Sequence, residues 1–327
     1  MTSYGRSFAL LIGLLLVVTT GSGARAWQED GSTMDYPLAL AAEEGGDIFV
    51  ADRNLPGIWK ISPEGLSLFY QGEKKFRTPL NAIRCLAIDT EGKLLAGDTS
   101  TREVYRFSDE GQPVALTEGG IGMPMALAVD PEGVIYVADL ELHYIWKVAK
   151  EGGKPEKFAE VPAPRGLAFD DDGRLWVVSG VKNKNQLVRL ATDGSTEVVV
   201  SGTPFSFPHN VALDASGSAY VTDGFGKAVW KVAANSEPVK LVEGNGLTNP
   251  VGIIRQGERL LVVDPHAKTV FQIALDGTLS PLELGGEPAA EPAAEPAEEP
   301  AEEPAADSED TAAEGDVGTE TEEKAEP

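Results

Sequence analysis

The residues best suited to bind a charged ligand share one position in a repeat, five residues before the acid of a turn. The side chains at this position are Leu38, Arg84, Met125, Arg165, His209 and, by alignment on a proline, Val251. Guanidinium groups bind carboxylates and phosphates, and the two arginines with His209 predict a cationic patch for a small anion such as a carboxylate, a sugar acid or a phosphate. Asn210 follows His209 and adds an amide. The alternative is that the arginines form ion pairs with neighbouring acids.

A second set of polar residues permits cation chemistry, because aspartates end five apolar stretches. They are Asp52, Asp98, Asp139, Asp223 and Asp264. Carboxylate oxygens suit Ca²⁺ and Mg²⁺, and an imidazole also suits Zn²⁺, so Asp139, Asp223 and His209 are candidates for a divalent-metal site. The other interpretation is structural, since an aspartate at a strand end accepts hydrogen bonds from the backbone of the following loop.

These positions belong to a repeat of about 41 residues that occurs six times. The unit from Met125 to Val148 has an apolar strand, an Asp-x-x-Gly turn, a second strand ending in aspartate, a loop and a third strand of aliphatic, aromatic, basic and aliphatic residues. A second turn after the third strand predicts a fourth strand. Ser179 replaces the aspartate in the fourth unit, and a long loop from Gly180 to Gln186 follows it.

The second strands are almost continuously apolar, so both of their faces must be covered. The sequence therefore predicts an all-β fold over residues 36–284, a six-bladed β-propeller with four-stranded antiparallel blades. In such a fold the first strand of each blade lines the central channel. Circular closure would bring Arg84, Met125, Arg165, His209 and Asn210 to one channel mouth.

The repeats resemble those of the NHL family of six-bladed propellers. Two related families imply different chemistry. The segment from Phe207 to Asp223 is similar to peptidylglycine α-hydroxyglycine lyase domains, in which histidines after a proline bind zinc, but only His209 matches. The SMP-30/gluconolactonase group implies a divalent ion and lactone hydrolysis, and the asparagine that this group has after the proline is His209 here, with Asn210 next.

The sequences at the two ends predict a signal peptide for export and a disordered tail. Residues 1–26 carry Arg6, an apolar run and a small-residue cleavage site, which is typical of a signal peptide, and residues 27–35 form a linker. Residues 285–327 are rich in Glu, Pro and Ala and predict a disordered acidic tail. We expect a secreted or periplasmic monomer with no membrane span after signal cleavage. Cys85 is the only cysteine, so no internal disulfide forms, and we expect its thiol to be shielded.

The charge of the chain disfavours nucleic acid as a partner. The net charge is −25, and residues 27–286 alone hold 36 acids against 24 bases, an excess of 12 negative charges. Such a body repels a phosphate backbone.

Together these features predict a non-enzymatic binding or scaffold propeller without a cofactor. Its top face, which carries the channel mouth, would be presented to a protein, a glycan or a small anionic ligand. The alternative is an SMP-30/gluconolactonase-like hydrolase of lactones or esters that uses Ca²⁺, Mg²⁺ or Zn²⁺.

Overall fold

The structure, a computed structural model, describes residues 33–43, 45–181, 184–202 and 204–284. The predicted signal peptide (1–26), most of the predicted linker (27–35) and the predicted tail (285–327) lie outside the described residues.

The described residues form six four-stranded sheets, here called blades 1 to 6 in chain order. Blade 1 contains β1 (Pro37–Ala42), β2 (Ile48–Asp52), β3 (Gly57–Ser62) and β4 (Gly65–Gln71). Blade 2 contains β5 (Ile83–Ile88), β6 (Leu94–Asp98), β7 (Glu103–Phe107) and β8 (Pro113–Ala115). Blade 3 contains β9 (Pro124–Val129), β10 (Ile135–Asp139), β11 (Tyr144–Val148) and β12 (Glu156–Glu160).

The second half of the ring repeats this arrangement. Blade 4 contains β13 (Pro164–Phe169), β14 (Leu175–Val181), β15 (Lys184–Leu190) and β16 (Thr196–Gly202). Blade 5 contains β17 (Pro208–Leu213), β18 (Ala219–Asp223), β19 (Ala228–Val232) and β20 (Val239–Glu243). Blade 6 contains β21 (Ile253–Gln256), β22 (Arg259–Asp264), β23 (Thr269–Ala274) and β24 (Leu279–Pro281).

Each blade is an antiparallel meander in which consecutive strands are neighbours. The first strands of adjacent blades contact one another around a closed circuit, from β1 through β5, β9, β13, β17 and β21 back to β1. The prediction of an all-β six-bladed propeller with four strands per blade is therefore confirmed. No helix in the described ranges is long and apolar enough to cross a membrane.

The core consists of six apolar clusters, each shared by two adjacent blades. Within the second strands, Val50, Leu95, Val137, Val177 and Val262 are fully or almost fully buried. A second strand is covered on both faces because one face meets the preceding blade and the other meets the next. This arrangement explains why the second strands are so continuously apolar.

The ring closes without any exchange of strands between blades 6 and 1. Met34 and Leu40 pack in one cluster with Val251 and Leu282. Polar contacts reinforce this seam, since the Gln256 side-chain amide donates to the carbonyls of Glu43 and Gly46, at 3.0 and 3.2 Å. The Lys268 ammonium also lies 2.6 Å from an Asp35 carboxylate oxygen.

In five of the six blades, the aspartate that ends the second strand connects the loops of that blade. Asp139 is fully buried and accepts hydrogen bonds from the backbone N–H groups of Glu141 and Leu142 in the following loop, as predicted. It also accepts from Gly122 N and Met123 N in the loop before the blade, which the sequence analysis did not foresee.

The indole N–H of the third strand completes this network. Trp146 Nε1 donates to Asp139 at 2.9 Å, and Trp59 and Trp230 make the equivalent bonds to Asp52 and Asp223. A single carboxylate therefore ties together the loop before the first strand, the loop after the second strand and the third strand.

The prediction of a long loop from Gly180 to Gln186 is wrong in part. The strands β14 and β15 continue beyond their counterparts, and Gly180 pairs with Asn185 and Val181 with Lys184. Ser179 stands where other blades have aspartate, and its hydroxyl donates to the Pro162 carbonyl at 2.6 Å. With a hydroxyl in place of the carboxylate, the pairing of the two strands extends past this point.

Candidate functional site

The central channel contains a cavity of about 300 Å³ that is lined by the predicted ring of first-strand residues. Its polar lining comes from Arg84, Arg165, His209 and Asn210, and Met125 contributes to the apolar part. The apolar ring positions in blades 1 and 6 also line the cavity, at Leu38 and Val251. The structure thus brings all of the predicted channel-mouth residues together, although the first and last of them, Arg84 and Asn210, are 126 positions apart in the chain.

In blades 1 to 5, a bulge in the first strand turns the side chain at the ring position toward the cavity, whereas Val251 of blade 6 precedes β21. In blade 2, Ile83 is paired with Asp98 and Cys85 with Gly97, so Arg84 has no partner in the ladder. The same irregularity leaves three residues of other blades without a partner on the second strand, namely Leu38, Met125 and Arg165. An extra residue in a strand redirects its side chain out of the regular alternation, and bulges often aim side chains at sites.

Blade 5 departs most from this pattern, because its register skips both His209 and Asn210. Thr222 occupies the opposite position, and its hydroxyl accepts from Asn210 N at 3.1 Å and donates to the Val251 carbonyl at 2.7 Å. The side-chain oxygen of Asn210, Oδ1, accepts from Val211 N at 2.8 Å. The Asn210 NH₂ group is therefore left, within the described residues, as a donor for a ligand.

Arg84 and Arg165 are half-buried cations. Burial lowers the pKa of both guanidinium groups, and the nearby charge of Arg53 lowers that of Arg84 further. In the described part of the chain, no acidic side chain forms an ion pair with either group, so the expected alternative of pairing with strand-end acids does not occur there. Guanidinium groups remain charged despite such shifts. The cavity therefore carries two positive charges.

His209 does not add a third positive charge at neutral pH. Burial, and then the positive charge of Arg165, lowers the pKa of His209 from 6.5 to about 4, while Asp223 opposes the shift. The expectation that His209 contributes to the cationic patch is therefore corrected, since its imidazole is neutral at pH 7. A neutral imidazole offers one N–H donor and one nitrogen acceptor.

Two phenylalanines that sequence reasoning missed border the cationic mouth. The guanidinium of Arg165 lies over the ring of Phe207 at 4.1 Å, and the His209 ring meets Phe207 edge-on at 4.9 Å. Phe225, which is 74% exposed, stacks on Phe207 at 4.7 Å. The signal that could have found this aromatic edge is Phe207 directly before the Pro-His step, together with Phe225 two residues after Asp223.

The metal candidates Asp139 and Asp223 do not line the cavity. Their oxygens are occupied by backbone and indole donors, and for Asp223 these include Ser206 N and Phe207 N, both at 2.7 Å. Burial opposes ionisation of Asp139, but hydrogen bonds from Met123 N, Gly122 N and the Trp146 indole outweigh it and lower its pKa.

The donor set of the cavity does not fit a divalent cation. His209 and Asn210 offer ligand atoms there, burial keeps the Cys85 thiol protonated by raising its pKa to about 12, and the two guanidinium groups would repel a cation. Across the described ranges, no three residues among His, Cys, Asp and Glu are grouped closely enough to hold a metal ion. His143 and His266 are exposed loop residues, as expected.

Sequence comparisons give short matches to two curated proteins, and no family model matches the chain. The chain is 29% identical to Teneurin-3 of Mus musculus over 158 residues, which is 47% of this chain and 5% of that protein. It is 35% identical to NHL-repeat-containing protein 4 of Homo sapiens over 51 residues, or 16% of this chain and 42% of that protein. The chain thus spans less than half of the length of either relative.

Comparison with solved structures gives propellers of different activities. A virginiamycin B lyase from Staphylococcus aureus superposes with a TM-score of 0.60 at 16% identity, over 77% of this chain and 85% of the lyase. A gluconolactonase from Xanthomonas campestris gives 0.63 at 15% identity, over 76% and 87%. A chain of a nidogen/laminin complex gives 0.62 at 18% identity, over 70% and 90%.

At these identities the structural likeness establishes the fold alone. The chain is a six-bladed β-propeller with similarity to an NHL-repeat protein, and its structural neighbours include gluconolactonase and virginiamycin B lyase propellers.

Proposed function

We propose that the chain is an exported, non-enzymatic binding propeller whose channel mouth takes a small anion such as a carboxylate, a sugar acid or a phosphate. The observation that carries this proposal is the presence of Arg84 and Arg165 in one cavity without an acidic partner among the described residues. Half-buried cations without counter-charges are unfavourable, and a bound anion would compensate them.

The shape and lining of the cavity support a ligand of modest size. A volume of about 300 Å³ is at the lower end of small-molecule sites. Arg84 and Arg165 would bind the anionic group through paired N–H donors, and Asn210 would donate a further hydrogen bond. Met125, Leu38 and Val251 offer apolar surface for the remainder of the ligand.

Anion titration tests the proposal. Isothermal titration calorimetry with acetate, gluconate and phosphate should give binding of at least one anion, and Arg84→Gln and Arg165→Gln should each weaken it about tenfold or more, since charge-assisted hydrogen bonds contribute about 1.5–3 kcal/mol. Arg102→Gln is the matched control, because Arg102 is exposed and paired with Glu141 at 2.9 Å. Equal affinity in all three variants would refute the proposal.

The wider part of the proposal is that the top face also serves as a scaffold for a protein or a glycan. The nidogen/laminin complex supports a protein partner, since it contains a propeller of this fold within a protein complex. We further propose that the protein is a monomer that is secreted or located in the periplasm after cleavage of residues 1–26. Amino-terminal sequencing of the exported protein should then begin at Trp27.

The second candidate function is a metal-dependent lactone or ester hydrolase. Its support is the fold of the gluconolactonase from Xanthomonas campestris, whereas the donor set of the cavity opposes it. Metal analysis of the purified protein distinguishes the two candidates. Stoichiometric Ca²⁺, Mg²⁺ or Zn²⁺ together with metal-dependent turnover of a lactone panel would favour the hydrolase.

A further inference from the structure

The loop that joins β4 to β5 presents an exposed aromatic ring among positive charges. Phe76 is 76% exposed and lies at the tip of this loop. Lys74, Lys75 and Arg77 flank it in the sequence and are exposed as well. The Arg77 guanidinium lies 5.3 Å from the centre of the Phe76 ring.

Hydrogen bonds and a buried anchor hold this loop in a defined conformation. The Thr78 hydroxyl donates to the Lys75 carbonyl at 2.6 Å, and the Asn81 side-chain amide donates to the Glu73 carbonyl at 2.8 Å. Leu80 is fully buried in the cluster between blades 1 and 2. The exposure of Phe76 therefore results from a structured loop that projects the ring.

A groove lies beside the ring, next to the loop between β2 and β3. It has a volume of about 360 Å³ and is lined by Arg53, Asn54, Pro56, Lys74, Phe76 and Asn81. Asn54 and Asn81 donate through their NH₂ groups to Asp35 and to the Glu73 carbonyl, so each keeps a side-chain carbonyl oxygen that can accept a bond. The exposed Phe76 and the buried Pro56 form the apolar part of the lining.

The charge around the groove is opposite to that of the whole propeller. Among the described residues, none of Arg53, Lys74, Lys75 and Arg77 forms an ion pair with an acid. The acids nearby are Glu73, which is exposed on the same loop, Asp35, which is already paired with Lys268 at 2.6 Å, and the buried Asp52, which accepts a hydrogen bond from Asn54 N. Four bases against Glu73 and Asp52 leave a local charge of +2 on a body that is strongly acidic.

We propose that this groove binds an extended acidic peptide segment of a partner protein, with one apolar side chain of the segment packed against Phe76 and Pro56. Carboxylates of the segment would meet Arg53 and Lys74, and its backbone N–H groups would donate to Asn54 and Asn81. Aromatic residues and arginine are enriched in protein interfaces, and a few such residues account for most of the binding energy. Complementary charge around such a centre gives specificity and fast association.

The acidic body favours a peptide over nucleic acid or an anionic membrane. A long polyanion or a membrane surface would extend beyond the groove and meet the negative charge of the rest of the propeller. A short acidic segment of a protein covers only the groove. The groove and the channel cavity share no lining residue, although Arg53 of the groove lies near enough to Arg84 of the cavity to lower its pKa.

The test uses the full chain and a fluorescein-labelled synthetic peptide of about ten residues that alternates glutamate with leucine. Fluorescence anisotropy should show binding, and Phe76→Ala should weaken it about tenfold, as expected for an aromatic hot spot. Val239→Ala is the apolar control, because Val239 is 56% exposed on β20 and lies outside the groove. Lys74→Glu should weaken binding by a similar factor, whereas Lys154→Glu, an equal charge change elsewhere on the surface, should not.

Two further probes make the outcome decisive. A peptide with serine in place of leucine should bind about tenfold more weakly, because it lacks the apolar contact with Phe76. Equal binding of the serine peptide, unchanged binding by Phe76→Ala, or tighter binding of duplex DNA or phosphatidylserine vesicles would each overturn the proposal. Arg165→Gln should leave peptide binding unchanged, so a failure of the channel proposal remains distinguishable from a failure of this one.

Discussion

Replacing His209 by glutamine should remove a specific part of the acid sensitivity of the fold. The pKa of His209 is lowered from 6.5 to about 4, by burial first and then by the charge of Arg165. Between these two values the unfolded chain binds a proton that the folded chain does not, so stability falls as the pH falls through this window and is fully present above it. Linkage between about pH 7 and pH 4.5 gives a loss of about 2 kcal/mol from this residue.

The assay is urea unfolding followed by tryptophan fluorescence at several pH values between 7 and 4.5. His209→Gln should lose about 2 kcal/mol less than the unsubstituted protein across this range. His266→Gln is the matched control, because His266 is exposed in a loop, and it should keep the original pH dependence. If His209→Gln and the unsubstituted protein lost stability in parallel, the argument that His209 is neutral at the mouth would be refuted.

Three further predictions concern stability and reactivity. Asp139→Asn should lower the free energy of unfolding by about 3 kcal/mol in urea titrations, because several buried donors lose a charged acceptor. Asp171→Asn, at an exposed turn, should change it little. Cys85 should not react with Ellman's reagent at pH 8 until urea is added, because burial raises the pKa of its thiol to about 12. Rapid reaction of the folded protein would contradict this burial. Gln256→Ala should lower the free energy of unfolding by about 1–2 kcal/mol and speed hydrogen exchange at the seam between blades 6 and 1, because the Gln256 amide bridges Glu43 and Gly46. Unchanged exchange there would show that the apolar cluster alone holds the seam.

The periodicity of the sequence was sufficient to predict the architecture and the membership of the channel ring. Apolar second strands, glycine turns and terminal aspartates recur at nearly constant spacing. Closing the six units into a ring covers both faces of the second strand in every unit. The ring position then followed by counting back from each turn, which placed Arg84, Arg165 and His209 beside one cavity.

Features that depend on local register or on contacts across space were not predictable in this way. A bulge leaves no mark on hydrophobic periodicity, so the reason why Arg84 faces the channel came only from its pairing register. The state of His209 depends on burial and on Arg165, which lies in another blade. The contact of Phe207 with Arg165 likewise joins two different blades. The sequence pattern places both blades in one ring but does not predict which of their side chains touch.

The closure of the ring by side chains alone makes the starting point of the chain arbitrary. Every blade consists of four strands that are contiguous in sequence, and Met34 and Leu282 from opposite ends of the described chain pack in the same cluster. A circularly permuted gene that opens between any two blades and joins the present ends would therefore leave all six sheets uninterrupted. The seam between blades 6 and 1 is then equivalent to the other interfaces between neighbouring blades. The order of the blades in the sequence could therefore be changed one whole blade at a time.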